Sequence, residues 1–178
     1  MAMTVEIDQL TSTTPTRTAV TAVVWSRVDN ASGTTVIPTP TSTGTNFSFV
    51  KTFQVDITAT GSLAMSNILF GKVANETTTG TKLWHRTDHA LGSYTQATAA
   101  PTATGDNNTT APAMNGTNAA VTAVPLIGAP PSTYAAGPFS SVAAVGNLVE
   151  VALGVDATNT TAGAAVATPT LRWSWTES

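Results

Sequence analysis

The stretch FSFVKTFQVDITATG, residues 47–61, decides the fold class of this chain. Apolar and polar side chains alternate along it with a period of two, which is the spacing of a β-strand with one face turned to a core. Lys51 stands on the apolar parity and Val50 on the polar one, so we expect a β-bulge or a change of partner near residue 51, in one long strand or two in-line strands. The apolar parity holds Phe47, Phe49, Phe53, Val55, Ile57 and Ala59, and the polar parity holds Ser48, Thr52, Gln54, Asp56 and Thr58.

Further segments have strand character and are separated by turn signals. The clearest is LVEVALGVD, residues 148–156, whose odd-numbered residues are Val or Leu. Helix-period apolar spacing is missing, because Thr, Gly and Pro interrupt every candidate window. We therefore predict an all-β fold, an antiparallel β-sandwich with long Thr/Ala/Gly/Pro-rich loops and little or no helix, as one domain over residues 1–178. The predicted strands cover Thr4 to Leu10, Ala19 to Val28, Asn67 to Ala74, Thr81 to Thr87, Leu148 to Asp156 and Thr170 to Glu177.

Composition excludes several classes of partner. Only 10% of the 178 residues are charged, the net formal charge is -3, and the seven Lys and Arg residues are scattered, so no basic patch is available to bind nucleic acid. The chain has no cysteine, and MAMTVEIDQL lacks the basic and apolar flanks of an export signal, so we expect synthesis to be intracellular. Apolar runs fall well short of the ~20 residues that a membrane-spanning helix needs, so no membrane is expected.

A search for catalytic chemistry finds little. His85 and His89 in LWHRTDHA would share a metal-binding face on a helix, but on a strand they lie about 13 Å apart, so we favour two ordinary histidines over a metal site. Asp56 and Glu150 fall on the polar parity of their strands and are interpreted as solvated face charges. With no cysteine nucleophile, GxSxG elbow or phosphate loop, the sequence predicts a protein that is not an enzyme and has no cofactor or metal.

Two segments and a set of aromatic residues are candidates for contacts with other molecules. Residues 1–18 are rich in Thr, and residues 96–120 are rich in Thr, Asn and Ala; we interpret both segments as arms laid on a neighbouring chain, with flexible solvent loops as the alternative. Trp25 and Trp173 are predicted to be core residues, because a core with five Phe and few Leu or Ile can hardly spare them. The candidates for a partner or subunit contact are Trp84, Trp175, Tyr94 and Tyr134. Exposed aromatics of this kind also fit a carbohydrate-binding or adhesin-like module.

The strand units TGTNFSFVKTFQVDITATG and NLVEVALGVDATNTTAGAAVATPTLRWSWTES, with heavy Thr/Ala/Gly usage and a last aromatic strand, resemble minor virion proteins of tailed bacteriophages. Within that group the chain is most similar to capsid decoration (cement) proteins and to Ig-like or jelly-roll head proteins. The resemblance implies a structural protein of the virion, made in the host cytoplasm, that binds the outer surface of the major capsid protein lattice and stabilises it. It also implies a homo-oligomer, often a trimer. A neck or tail component of the virion would have the same features.

Overall fold

The computed structural model describes residues 2–26, 28–33, 37, 45–72, 81–89, 94, 96, 115–117, 124–125, 138–156 and 170–178. These residues contain strands and no helix, and every strand pairing is antiparallel, which confirms the predicted antiparallel all-β class. The sandwich architecture itself stays a prediction. The strands are β1 (Thr4–Thr11), β2 (Thr16–Ala19), β3 (Thr45–Phe47), β4 (Lys51–Ala59), β5 (Met65–Lys72), β6 (Thr81–His89), β7 (Asn115–Thr117), β8 (Val124–Pro125), β9 (Ala143–Asp156) and β10 (Leu171–Glu177).

The larger sheet has the strand order β2-β1-β4-β9-β6-β7, and β3 pairs with β9 beside β4. Strand β9 is its centre: it is 14 residues long and pairs with β3, β4 and β6. Its Val and Leu residues, from Val149 to Val155, are buried together with Phe53, Val55 and Ile57 of β4. The alternation predicted for both strands therefore does mark the face that meets the core.

The opening stretch forms two in-line strands with a bulge between them, as predicted. Phe47 pairs with Gly154 and Lys51 pairs with Val151, so three residues of one strand, 48–50, stand against two of β9. That surplus of one residue is a β-bulge. It places Lys51 on the same face as Phe53, because alternate residues of β4 point to the same side of the sheet.

The smaller sheet has the order β10-β5-β8 and shares its core with the larger one. The Trp173 ring of β10 lies 5.8 Å from the Phe53 ring in the larger sheet and 5.1 Å from the Phe70 ring in β5, centroid to centroid. Trp25 is 1% exposed within the same core. The predictions that Trp25 and Trp173 are core residues are thus confirmed, and TLRWSWTES turns its tryptophan face inward.

Three expectations need correction. The strand predicted over Ala19 to Val28 is wrong: β2 ends at Ala19, and residues 20–25 belong to no strand even though three of them are valines. Residues 1–18 are not an arm in this chain, since β1 lies inside the larger sheet between β2 and β4. Of the segment predicted as a long loop or arm over 96–120, Gln96 and β7 are described; β7 pairs with β6, and the rest lies outside the described residues.

The third expectation that needs correction is that the polar parity of the central strands faces solvent. Ser48, Gln54 and Glu150 have no exposed surface, although alternation predicted a solvated face. Both faces of the larger sheet are covered at this point, so Glu150 is not the solvated charge that the sequence indicated. A residue on the second face of a strand stays solvated only where nothing packs on that face.

Candidate functional site

A groove of about 350 Å³ lies between the irregular segment 20–25 and the last strand. Residues 20–23 and Trp25 line it together with Ile7 and Phe53 of the larger sheet, and Thr170, Leu171 and Trp173 line it from the smaller sheet. The lining residues are uncharged, and their polar side-chain groups are the hydroxyls of Thr21 and Thr170 and the indole N–H groups of Trp25 and Trp173. Such a groove has the size and apolar character of a site for a small, uncharged molecule.

Trp173 is the aromatic residue of this groove that keeps part of its surface exposed. Its ring is wedged between Phe53 and Phe70, which fixes its orientation. The indole N–H is buried and has no hydrogen-bond partner in the described part of the chain. A fixed indole face of this kind can stack on a flat apolar surface, such as one face of a sugar ring.

Lys51 forms the second notable cluster, on the core side of the larger sheet. Its side chain has no exposed surface, and its Nζ donates hydrogen bonds to the carbonyl oxygens of Val28 (2.6 Å) and Asn30 (3.0 Å) and to Asn30 Oδ1 (3.2 Å). Burial lowers the pKa of Lys51 to about 8, and the nearby Asp29 carboxylate partly opposes this shift. The ammonium therefore holds residues 28–30 against the sheet at a cost in desolvation.

Further hydrogen bonds tie the same segment to the sheet. Gln9 Nε2 donates to the Asn30 carbonyl at 2.9 Å, and the Phe49 N–H donates to the Ser26 carbonyl at 2.7 Å. Asp29 Oδ2 accepts from the Ser12 N–H at 3.1 Å and from Gln96 Nε2 at 2.6 Å. The segment thus contacts the larger sheet at the bulge, at the start of β4 and along β1.

Arg86 and Glu150 form a buried ion pair on the other face of the larger sheet. They are register partners on β6 and β9, with 5% and 0% of their surface exposed, and Arg86 Nη2 donates to Glu150 Oε2. Tyr94 lies near them: burial, and then the charges of Asp29 and Glu150, raise the pKa of its phenol to about 12. Tyr94 therefore stays protonated throughout the neutral range.

The carboxyl group of Asp8, on β1, has a raised pKa. Burial raises the pKa of Asp8, Asp56 and Glu6 raise it further, and Arg17 at 3.8 Å opposes the shift. Arg17 Nη2 also donates to Gln54 Oε1 at 2.6 Å, so this arginine covers the polar face of β4. These groups form a structural network across β2, β1 and β4.

The structure does not gather the predicted contact residues into one site. Trp84, on β6, is half-buried against Phe47, with ring centroids 5.8 Å apart, and packs beside a small cluster containing Phe49. Trp175, on β10, is half-buried on the main core, and its indole donates to Glu177 Oε1 at 3.1 Å. Tyr94 is half-buried, and Tyr134 lies outside the described residues. Their role as partner or subunit contacts stays a prediction.

The structure describes the side chain of only one of the two histidines. His85 lies on the core side of β6, with its ring 6.4 Å from that of Phe70, while the His89 side chain is outside what the structure describes. In the described part of the chain no group of three His, Cys, Asp or Glu residues is placed to hold a metal ion. Sequence reasoning missed the buried roles of Lys51, Arg86 and Glu150, although the break in parity at Lys51 was a signal.

Comparisons with protein-family models, with curated proteins and with solved structures find no match to this chain. In the residues that the structure covers, no helix has the length and apolar character to cross a bilayer.

Proposed function

We propose that this chain is a structural virion protein of a tailed bacteriophage, which binds the outer surface of the major capsid protein lattice and stabilises it. The starting point is the resemblance of residues 43–61 and 147–178 to the strand units of capsid decoration proteins. In this proposal the chain is not an enzyme and acts as a homo-oligomer, with a trimer as the form the resemblance favours.

The observation that carries the proposal is that charged side chains are buried inside the fold, where they make structural contacts. Lys51, Arg86 and Glu150 are buried and hydrogen-bonded to neighbouring elements, so they hold the protein together. The exposed strand β2, TRTA, is the kind of Thr-containing surface that the composition predicts. A protein that binds a lattice through many weak contacts needs such a surface more than it needs a reactive pocket. Its affinity comes from the number of contacts that are made at once.

The edge of the larger sheet offers one way to make these contacts. Among the described strands β2 ends the sheet, and all four of its residues are exposed. An edge strand presents unpaired backbone N–H and C=O groups to an extended segment of another chain. Capsid proteins or neighbouring copies could pair there without any specific side-chain pocket.

The test is the copy number of the 18.1 kDa chain in purified virions. Virions are sedimented, washed and quantified by mass spectrometry against the major capsid protein as internal standard. Hundreds of copies per particle are expected for decoration. A few copies would indicate a neck or tail component instead, and none would refute the virion assignment. Adding purified chain to particles that lack it should give saturable binding, with an unrelated β-sheet protein as the control.

A carbohydrate-binding or adhesin-like function is the second candidate, and the groove beside Trp173 favours it. An oriented indole next to two threonine hydroxyls is a surface on which a sugar ring can stack and donate hydrogen bonds. Tryptophan fluorescence titrated with a panel of mono- and oligosaccharides tests it. Saturable quenching that is lost in Trp173→Phe and kept in Trp84→Phe would support the groove, and a flat response across the panel would reject it.

A further inference from the structure

Lys51 and Asn30 bring an amine and a side-chain amide together inside the fold. Lys51 begins β4 and has no exposed surface, and its Nζ lies 3.2 Å from Asn30 Oδ1. The amide carbon is one C=O bond further on, so Nζ and Cγ of Asn30 are at most about 4.4 Å apart. A small side-chain rotation brings such a pair to about 3–3.5 Å, the separation from which a nucleophile attacks.

The amide of Asn30 is polarised for that attack. Ser26 is buried, and its Oγ donates to Asn30 Oδ1 at 2.7 Å. A donor on the carbonyl oxygen stabilises the negative charge that develops there when a nucleophile adds to the carbon. At the other end of the amide, Asn30 Nδ2 donates to the carbonyl of Ser32, an exposed residue, at 2.7 Å. The nitrogen that would leave is therefore directed toward an exposed part of the chain.

The environment of Lys51 makes its amine a better nucleophile than that of a surface lysine. Burial lowers the pKa of Lys51 to about 8, so that roughly a tenth of the side chains are neutral at pH 7. The Phe49 ring, with its centroid 5.9 Å from Nζ, is part of the apolar cover. The charge of the Asp29 carboxylate also acts on Lys51, which makes Asp29 an acceptor for the proton that the ammonium must lose.

The groups around Lys51 keep their hydrogen bonds when the ammonium is lost. The Val28 carbonyl also accepts from the Asn30 N–H at 3.1 Å, and the Asn30 carbonyl also accepts from Gln9 Nε2 at 2.9 Å. Asn30 Oδ1 retains the Ser26 hydroxyl. Turning the ammonium into a neutral amide N–H leaves none of these acceptors bare and removes a buried charge, whose desolvation is unfavourable. The site therefore favours the neutral product.

We propose that Lys51 and Asn30 react to form an intramolecular isopeptide bond, which fastens residues 28–30 covalently to the start of β4. The ammonium first loses one proton to the Asp29 carboxylate or to water. The neutral Nζ then attacks Cγ of Asn30: an N–C bond forms, and the C=O electron pair moves to Oδ1. As the C=O bond re-forms, the bond from Cγ to Nδ2 breaks, a proton passes from Nζ to Nδ2, and ammonia leaves. The step is an acyl transfer without oxidation or reduction.

The bond would act on the chain as a disulfide does in other proteins. Lys51 and Asn30 are 21 residues apart in the sequence, and a covalent link between them restricts the unfolded chain. The sequence has no cysteine with which to make a disulfide. Until the bond forms, Lys51 titrates as a buried amine. This inference is independent of the function proposed above.

Mass spectrometry of the full chain tests the proposal. Freshly purified protein is incubated above the Lys51 pKa of about 8, and its intact mass is expected to fall with time by the mass of one ammonia. Digestion with trypsin and chymotrypsin, which cut after Arg27 and after Phe47, Phe49 and Phe53, should then yield one branched peptide that joins residues 28–47 to residues 50–53. Circular dichroism on the same samples shows that the chain is folded.

Variants assign the two ends of the bond. Asn30→Ala changes a partly exposed position and keeps the lysine, and Lys51→Met removes the amine; neither should lose ammonia or give the branched peptide. Asn147→Ala is the matched control, since it removes a half-buried amide that donates to the Thr87 carbonyl instead, and it should react as wild type does. Ser26→Ala should slow the reaction about a hundredfold, because it removes the donor on Oδ1.

Three results would overturn the proposal. The first is a folded wild-type chain that gives no branched peptide after prolonged incubation. The second is a loss of ammonia without the branched peptide, because Asn30 would then have closed on its own backbone. The third is a branched peptide that persists in Asn30→Ala, which would place the acceptor elsewhere. If Lys51→Met does not fold, Asn30→Ala alone decides between these outcomes and the expected one.

Discussion

The buried pair of Arg86 and Glu150 gives the sharpest prediction about stability. Glu150 has no exposed surface and Arg86 has 5%, so neither charge can turn to solvent when its partner is removed. Breaking such a pair from one side strands a buried charge, which costs about 3–5 kcal/mol. Arg86→Met is therefore expected to lower the free energy of unfolding by about that amount.

Replacing both residues of the pair at once should have a different effect on the free energy of unfolding. Arg86→Met with Glu150→Leu removes the two charges and their desolvation together, and such replacements are often neutral or stabilising by about 1–4 kcal/mol. The double variant is expected to be more stable than Arg86→Met alone. A thermodynamic cycle of wild type, both single variants and the double variant isolates the coupling energy.

The assay is urea unfolding at pH 7, followed by tryptophan fluorescence and by circular dichroism so that two probes report the same transition. Arg172→Met is the control, because it removes an exposed arginine and should change stability by less than about 0.5 kcal/mol. A loss below about 1 kcal/mol in Arg86→Met would refute the reasoning, since that is the range of a solvated pair.

Four further predictions concern pH and the groove. The lowered pKa of Lys51, about 8 against 10.5, means that the unfolded chain holds this proton more tightly, so the free energy of unfolding should rise from pH 8 toward pH 10. The raised pKa of Tyr94, about 12 against 10.0, has the opposite sign, so stability should fall above pH 10; a fall between pH 8 and pH 10 would contradict the Lys51 assignment, and a continued rise above pH 10 would contradict the Tyr94 assignment. Because the pKa of Asp8 is raised, Asp8→Asn should increase the urea midpoint at pH 7 and leave it unchanged at pH 3, where the carboxyl is protonated in both states; an equal effect at both pH values would argue against a charge effect. Trp173→Ala should cost about 3 kcal/mol, toward the low end for tryptophan because the side chain is partly exposed, and a loss under 1 kcal/mol by urea unfolding would show that it is not a core residue.

Local alternation predicted the strands that carry most of the core. The bulge near residue 51 could also be predicted, because Lys51 and Val50 exchange parity there. Alternation says which side of a strand a residue occupies but not whether that side is covered. Cover depends on parts of the chain that are distant in sequence, just as pairing within the sheet does, where Arg86 and Glu150 meet across 64 residues.

The wrong strand between Ala19 and Val28 has a related cause. Its Val-rich sequence suits a strand, but strand propensity is realised only where a partner offers its edge. Among the strands that the structure describes, β2 ends the sheet, and the residues after it turn to line the groove and reach Lys51. A short apolar run cannot reveal that its hydrogen-bonding partner is missing.

The central place of β9 has a consequence for how the chain reaches its native state. The strand that joins β4 to β6 lies at Ala143–Asp156, about 90 residues after the β4 strand that it pairs with. During synthesis β1, β2 and β4 can pair early, but the edge of β4 that pairs with β9 stays unpaired until β9 has been synthesised. Such long-range pairing is slow and leaves hydrophobic edges exposed in the interval. We therefore expect nascent chains that stop before residue 143 to aggregate, and folding of the full chain to be sensitive to the rate at which its last third is made.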